Sequence, residues 1–166
     1  MNSIKYEIEL YEPMCVWLEQ KLKYEFRNQR CTIIVEDVHS VYLDSILHKY
    51  DVISYYPHIV GLGIQIDVLG IVKWEHKAKL YFVEAKKTPL NLHDLGQLWA
   101  YCRLCDPEDA FLLSSSGLGS LNKVLNNLAR TDLLDFGDGK KIKKMKVAKW
   151  DVIRKTVDNN SLVPKI

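Results

Sequence analysis

No stretch of this chain is apolar for long enough to cross a bilayer. Its first residues, Met1-Asn2-Ser3-Ile4-Lys5-Tyr6-Glu7, lack the apolar core of a signal peptide. A soluble, cytoplasmic protein is the expectation. Prolines number only 5 and glycines 8 in 166 residues, and they are scattered, so no flexible linker divides the chain. No segment repeats. Cysteines are equally sparse, at 4, and in a reducing compartment Cys15, Cys31, Cys102 and Cys105 are expected as thiols. Net charge is only +2, so composition does not announce a polyanion as partner.

The charge is unevenly placed, however. Lys140, Lys141, Lys143, Lys144, Lys146 and Lys149 crowd one stretch, and Asp132, Asp135 and Asp138 precede it. Hydrophobic residues make up 48% and charged residues 27%, a balance that fills one core. The chain reads as one domain over residues 1–155, with a frayed tail over 156–166.

Tyr11, Cys15, Leu18, Leu22 and Phe26 recur at helical spacing, and Pro13 suits a first turn, so a helix is expected over 12–27. Cys31 to Val35 reads as a strand. Residues 38–60 are ambiguous: Val41, Leu43, Ile46 and Leu47 suggest a short helix, and Tyr55-Tyr56-Pro57 a loop. Leu62 to Trp74 and Lys79 to Lys86 form two strands around the polar Glu75-His76-Lys77, an antiparallel hairpin. Thr88-Pro89-Leu90 interrupts it. Asn91 and Asp94 then have the spacing of a capping pair for a helix that buries Leu95, Leu98, Trp99 and Cys102 and stops near Asp106-Pro107. Ala110 to Leu113 is a strand and Ser114 to Gly117 a turn. Ser120 starts a helix with Leu121, Val124, Leu125 and Leu128. A turn at Gly137-Asp138-Gly139 leads to a last strand over Lys143 to Trp150. The order implies an α/β sandwich around a mixed central sheet flanked by helices.

Asp67 ends the apolar run from Gly63 to Ile66, and Glu84 follows Tyr81-Phe82-Val83 in the partner strand. Carboxylates in such strands are costly to bury unless something binds them. Lys86 lies two residues beyond Glu84 and therefore on the same face. Two adjacent carboxylates repel, and a divalent cation removes the conflict. Magnesium takes oxygen ligands and keeps several waters, so Asp67, Glu84 and the carbonyl of Ala85 would suit it, with Mn²⁺ as a substitute. Such a set serves in-line hydrolysis of a phosphodiester, with Lys86 orienting the water or stabilising charge on phosphorus.

Ile66-Asp67 followed by Val83-Glu84-Ala85-Lys86 resembles the signature of the PD-(D/E)XK nuclease superfamily, which includes restriction endonucleases, archaeal Holliday-junction resolvases and RecB-type nucleases. Here Ile66 stands where the signature has proline. The resemblance implies a restriction-endonuclease-like fold, metal binding by Asp67 and Glu84, and catalysis by Lys86. Gln97 and Tyr101, one helical turn apart, are similar to the family's Gln and Tyr on the helix after the catalytic strands, which implies that both approach the active site or the nucleic-acid backbone, Gln97 within the catalytic set and Tyr101 in support. Glu12 in Leu10-Tyr11-Glu12-Pro13 resembles its first-helix glutamate, which implies that Glu12 completes the metal site directly or through water, with Glu9 and Glu19 as substitutes. These likenesses span roughly residues 10–115.

The expected function is therefore Mg²⁺-dependent hydrolysis of DNA, by an endodeoxyribonuclease in the first instance. A structure-specific resolvase or RecB-like exonuclease is the alternative within enzymes, and a non-catalytic nucleic-acid-binding module on the same fold the alternative outside them. Lys87, Lys140, Lys141, Lys143 and Lys144 are the candidate nucleic-acid contacts, although a lysine-rich strand also serves as a solvated edge. Cutting both strands would require a homodimer, for which Trp74, Trp99, Tyr55 and Tyr56 could supply surface. Asp67 and Glu84 also have a plainer reading as an ion pair with Lys86 or Lys87. Cys102 and Cys105 form a C-x-x-C within the helix, whereas iron–sulfur ligands in RecB-like relatives lie outside it, so reduced thiols are expected. His39, His48, His58, His76 and His93 lack metal-ligand spacing and read as non-catalytic. Ser114-Ser115-Ser116-Gly117-Leu118-Gly119 lacks a P-loop's Gly-Lys-Ser/Thr ending, so no nucleotide cofactor is expected, nor a membrane partner.

Overall fold

A computed structural model describes residues 4–137 and 140–165. A 3₁₀ turn, Glu7–Leu10, leads into α1, Tyr11–Glu25. Then follow β1 (Thr32–Asp37), α2 (Leu43–Lys49), β2 (Val68–Lys73), β3 (Ala78–Lys86), α3 (Leu92–Cys105) and β4 (Asp109–Ser114). The chain ends through β5 (Asp135–Gly137), β6 (Ile142–Lys144), β7 (Lys146–Asp151) and β8 (Thr156–Val157). The main sheet has six strands in the order β1-β2-β3-β4-β7-β8, and β5 and β6 form a small ribbon. β1, β2 and β3 are antiparallel neighbours, whereas β4 and β7 run parallel to β3. The sheet is thus mixed and flanked by helices, as the sequence implies.

Alternation divides the core. Val68, Val72, Tyr81, Val83, Phe111 and Trp150 face α1 through Met14, Leu18 and Leu22. Leu69, Ile71, Leu80, Phe82, Leu112 and Val147 face α2 and α3 through Leu47, Leu95, Leu98 and Cys102. Helix α1 approaches β2 closely over Gly70, where an added Cβ would come within 3.0 Å of both Leu18 and Leu22. The Asn91–Asp94 capping box is present, with Asn91 Oδ1 accepting the Asp94 N–H at 3.0 Å and Asp94 Oδ2 accepting the Asn91 N–H at 3.2 Å.

Several boundaries differ from the expectation, each for a physical reason. The strand expected over Leu62 to Trp74 begins only at Val68, because Gly61 and Gly63 take positive φ and leave the ladder. Ile64 and Ile66 turn inward instead. The final strand is broken at Met145, whose N–H donates to the carbonyl of Leu134 at 2.8 Å rather than to a sheet neighbour. The helix expected after Ser120 contains a short π-helical turn, Lys123–Asn127. Trp99 is not part of the buried stripe of α3; it is 40% exposed and its indole N–H donates to the carbonyl of Asp135 at 3.0 Å, while Cys105 takes the buried place. Met14, fully buried, fills the α1 position nearer the core than the half-buried Cys15. The segment after Lys155 does not fray: β8 pairs with β7, and Val147 and Val163 exchange two backbone hydrogen bonds of 2.9 Å. Asp138 and Gly139 of the expected turn lie outside the described residues. No helix among the described residues is long and apolar enough to cross a membrane.

Candidate active site

The β2–β3 register pairs Val68 with Val83, so the next step outward sets Asp67 opposite Glu84 at the open end of the hairpin. The backbone there binds the two side chains crosswise. The Ala85 N–H donates to Asp67 Oδ2 at 2.8 Å, and the Asp67 N–H donates to Glu84 Oε1 at 3.3 Å. Each carboxylate is held through one oxygen by the opposite strand. Lys86 extends from the same face of β3 as Glu84.

The electrostatics follow from this packing. Burial pushes the Glu84 carboxyl well above the usual range, the charge of Asp67 adds to the shift, and Lys86 opposes it. Burial likewise raises Asp67, against the Ala85 N–H, with Glu7 raising it further and Lys86 and His39 lowering it. Glu84 is 7% exposed and is, with Ser114, one of two buried polar residues among those described. Burial and neighbouring carboxylates thus favour the neutral form of both acids.

Glu7 was not among the residues the pattern singled out, yet its charge acts on both Asp67 and Glu84. It sits on the 3₁₀ turn before α1, and the Tyr11 hydroxyl donates to its Oε1 at 3.4 Å. Burial, then Asp67, Glu7, Glu84 and Asp37, raise the Tyr11 phenol. His39 packs against the Tyr11 ring with centroids 4.8 Å apart, and its Nδ1 lies 2.5 Å from Asp37 Oδ1. Glu12, the residue expected to complete the site, is exposed instead and lines a surface hollow with Ile8, Glu9, Val16 and Lys155. Glu9 caps the first turn through the backbone N–H groups of Lys5 and Tyr6, and Glu19 pairs with Lys23 at 2.8 Å. The register that would have revealed Glu7 was hidden because a 3₁₀ turn does not carry the helical period.

The structure joins Gln97 to Tyr101, with Gln97 Nε2 donating to the Tyr101 hydroxyl at 3.4 Å. Among the described residues neither forms a hydrogen bond or ion pair with Asp67, Glu84 or Lys86. Lys87 Nζ donates to the carbonyl of Lys5 at 3.0 Å, tying the end of β3 to the segment that carries Glu7. The serine run straps the same end: Ser114 Oγ donates to the carbonyl of Thr88 and Ser116 Oγ to that of Lys87, both at 2.5 Å.

The lysine run is largely committed elsewhere. Lys143 Nζ donates to Asp106 Oδ1 and to the carbonyl of Pro107, each at 3.0 Å. Lys144 pairs with Asp135, Lys146 with Asp109 at 2.8 Å, and Lys141 lies 3.9 Å from Glu108. Asp106, Pro107, Glu108 and Asp109 lie at or just before the start of β4, and Asp135 on β5, whereas Lys86 pairs with Ser114 at the other end of β4. The five residue steps between correspond to about 16 Å along the strand. Of the aromatic residues considered for an interface, Trp74 packs edge-on against Phe26 and the Tyr56 hydroxyl donates to the carbonyl of Ala78 at 3.0 Å. Cys102 and Cys105 are buried thiols, both held up by burial.

Among the described residues no group of three or more His, Cys, Asp or Glu side chains is arranged to hold a metal ion. The donor set at Asp67, Glu84 and the Ala85 carbonyl nevertheless fits magnesium. Two desolvated carboxylates share one wall, and magnesium needs few protein ligands because it retains water and takes substrate oxygens. No family model, curated protein or solved structure matches the chain.

Proposed function

We propose that this chain is a Mg²⁺-dependent nuclease of the PD-(D/E)XK type, with a restriction-endonuclease-like fold, that hydrolyses DNA phosphodiesters as an endonuclease. The observation that carries the reading is the crosswise pair of carboxylates, buried Glu84 and half-buried Asp67, with Lys86 on the same face of β3. A structural ion pair would place Lys86 between the carboxylates, and no salt bridge among the described residues joins them.

Asp67, Glu84 and the Ala85 carbonyl would hold the ion, with Mn²⁺ as a substitute. When bound there, a divalent cation would neutralise the carboxylates and would make a nearby water more acidic. Lys86 orients that water and stabilises the charge that grows on phosphorus. Glu7, through its charge on both carboxylates, increases the demand for a cation. Tyr11 fixes Glu7 by its hydroxyl. Backbone amides of Ala85 and Asp67 hold the carboxylates still, so little reorganisation accompanies the reaction.

The test is cleavage of supercoiled plasmid, linear duplex and branched DNA with Mg²⁺, Mn²⁺ or EDTA, comparing the native chain with Glu84→Ala and Lys86→Ala. Metal-dependent cleavage is expected, lost in Glu84→Ala and reduced about 10²–10³-fold in Lys86→Ala, which keeps its fold and DNA binding. Preference for branched DNA with paired nicks would make it a resolvase, and digestion from ends an exonuclease. DNA binding without cleavage under any divalent metal would leave only a binding module.

A further inference from the structure

A hollow of about 420 Å³ lies at the same end of the sheet as the carboxylates, two strands away from Lys86. Register places it. Lys86 of β3 pairs with Ser114 of β4, which pairs with Lys149 of β7. Residues in register across adjacent strands share a face, so Lys86 and Lys149 project from the same side, about 10 Å apart for two interstrand spacings. The neighbours of Lys149 confirm the side, since Val147 lies in the core beneath α3 while Ala148 and Trp150 face α1.

The lining is unusual in its amides. Asn122, Asn126, Asn160, Lys149 and Lys165 gather there around Gly119. Asn126 Nδ2 donates to Asn122 Oδ1 at 2.8 Å, and Lys165 Nζ donates to the carbonyl of Asn160 at 2.6 Å. Among the described residues Lys149 Nζ makes no hydrogen bond or ion pair; its backbone is engaged, the N–H donating to Ser161 Oγ at 2.8 Å and the carbonyl accepting the Asp158 N–H at 2.9 Å. The nearby Asp151 and Asp158 spend their carboxylates on turn N–H groups, those of Ile153, Arg154 and Asn160. The floor is rigid. Gly119 has φ +54, and a Cβ there would lie 2.4 Å from the carbonyl oxygen of Leu90. The loop is joined to β3 through the Ser115 N–H, which donates to the Lys86 carbonyl at 3.0 Å.

We propose that this hollow is a subsite for a nucleotide flanking the scissile phosphate, with Lys149 and Lys165 on its phosphate and the asparagine amides on its sugar or base edge. The substrate strand would then cross the ends of β3, β4 and β7 from Lys86 to Lys149, and the lysine run at Lys140–Lys144 would lie away from it. The inference rests on the nuclease reading for the identity of the strand but is tested by binding alone. Cations on a backbone track supply salt-dependent affinity, and amides supply hydrogen bonds to base edges.

The experiment is fluorescence anisotropy of a short labelled DNA duplex in EDTA, over a series of salt concentrations, with the native chain, Lys149→Ala, Asn126→Ala and Lys143→Ala. Lys149→Ala is expected to weaken binding several-fold and to reduce the slope of log K on log salt by about 1. Asn126→Ala is expected to weaken binding with the slope unchanged, and Lys143→Ala to leave both unchanged. Inorganic phosphate is the control: displacement of the duplex only at concentrations that act through ionic strength supports a strand subsite. Tight phosphate binding that leaves the duplex in place overturns it. Duplex binding that is indifferent to Lys149→Ala, or no binding by the native chain, also overturns it. Cleavage by the native chain in Mg²⁺ alongside such indifference would leave the nuclease reading standing without the subsite. Lys149-dependent binding without cleavage in any metal would do the reverse.

Discussion

Asp67 and Glu84 each depend on the other's strand, since Asp67 gives its backbone N–H to Glu84 Oε1 at 3.3 Å while its own carboxylate takes the N–H of Ala85 at 2.8 Å. The arrangement holds two acids in a place that favours their neutral forms. Both pKa values are raised, so the folded chain binds protons more tightly than the unfolded one, whose groups titrate near their ordinary values of 3.8 and 4.5. Stability from this source is therefore full below those values and is lost as pH rises through the raised folded values. Glu84→Gln keeps the accepting oxygen and removes the charge. In EDTA it is expected to be more stable than the native chain at neutral pH and to lose that advantage toward pH 4. Mg²⁺ is expected to stabilise the native chain by about 2.7 kcal/mol at one hundred times its Kd, and the variant far less. Denaturant titrations at two pH values, with and without Mg²⁺, check both. An unchanged gap across pH would show that the pair is not charged at neutrality.

Glu7 and Glu12 make a clean comparison, because they lie on successive turns and Glu7 is among the leading charges that raise both carboxylates while Glu12 is exposed. Glu7→Gln is expected to weaken Mg²⁺ binding about tenfold, in the range found for residues that support ligands from behind. Glu12→Gln, on an exposed position, is expected to leave it unchanged. Isothermal titration with Mg²⁺ measures each. The opposite ranking would return the role to Glu12.

Lys143 separates the two readings of the lysine run. Its side chain is 14% exposed and bonded to Asp106 and Pro107, which makes it a bracket between β6 and the end of α3. Lys143→Ala is expected to cost about 1–2 kcal/mol, as for a hydrogen-bonded charged group. That corresponds to a fall in Tm of about 2–8 °C for a chain of this size. A variant with native stability but weakened DNA binding would make the run a phosphate track after all.

What the sequence disclosed about the site depended on local geometry. Glu84 and Lys86 are two apart on one strand, so alternation alone set them on one face, and a short hairpin returned Asp67 beside them. The capping pair Asn91 and Asp94 was readable for the same reason. Glu7 was not, since it precedes the helical period by one 3₁₀ turn. Nor were the partners of the lysine run: Asp106 and Asp109 are each 37 residues from the lysines they bind, and only the parallel crossover to β7 brings them together. Trp99 misled because its position fits the apolar stripe, whereas its indole N–H has a carbonyl to meet at Asp135. The tail after Lys155 looked polar enough to fray, yet Leu162 and Val163 are buried against the far strand.

Tyr81 offers a test of the core apart from any chemistry. Its ring packs edge-on to Phe26 with centroids 6.4 Å apart, and its hydroxyl is the one buried side-chain polar atom without a hydrogen-bond partner among the described residues. An unpaired buried hydroxyl costs about 1–3 kcal/mol in lost solvation. Tyr81→Phe removes the hydroxyl and keeps the ring, so a gain of about 1 kcal/mol is expected, or a rise in Tm of about 2–4 °C. Burial also raises the Tyr81 phenol above its ordinary value of 10.0, so the native chain loses stability as pH climbs past that value and the ionised form becomes favoured in the unfolded chain. The variant lacks that contribution, and its advantage should therefore widen at alkaline pH. Denaturation at pH 7 and pH 10.5 measures both effects. A loss of stability in Tyr81→Phe at neutral pH would mean that the hydroxyl is bonded in solution and that its partner contributes to the fold.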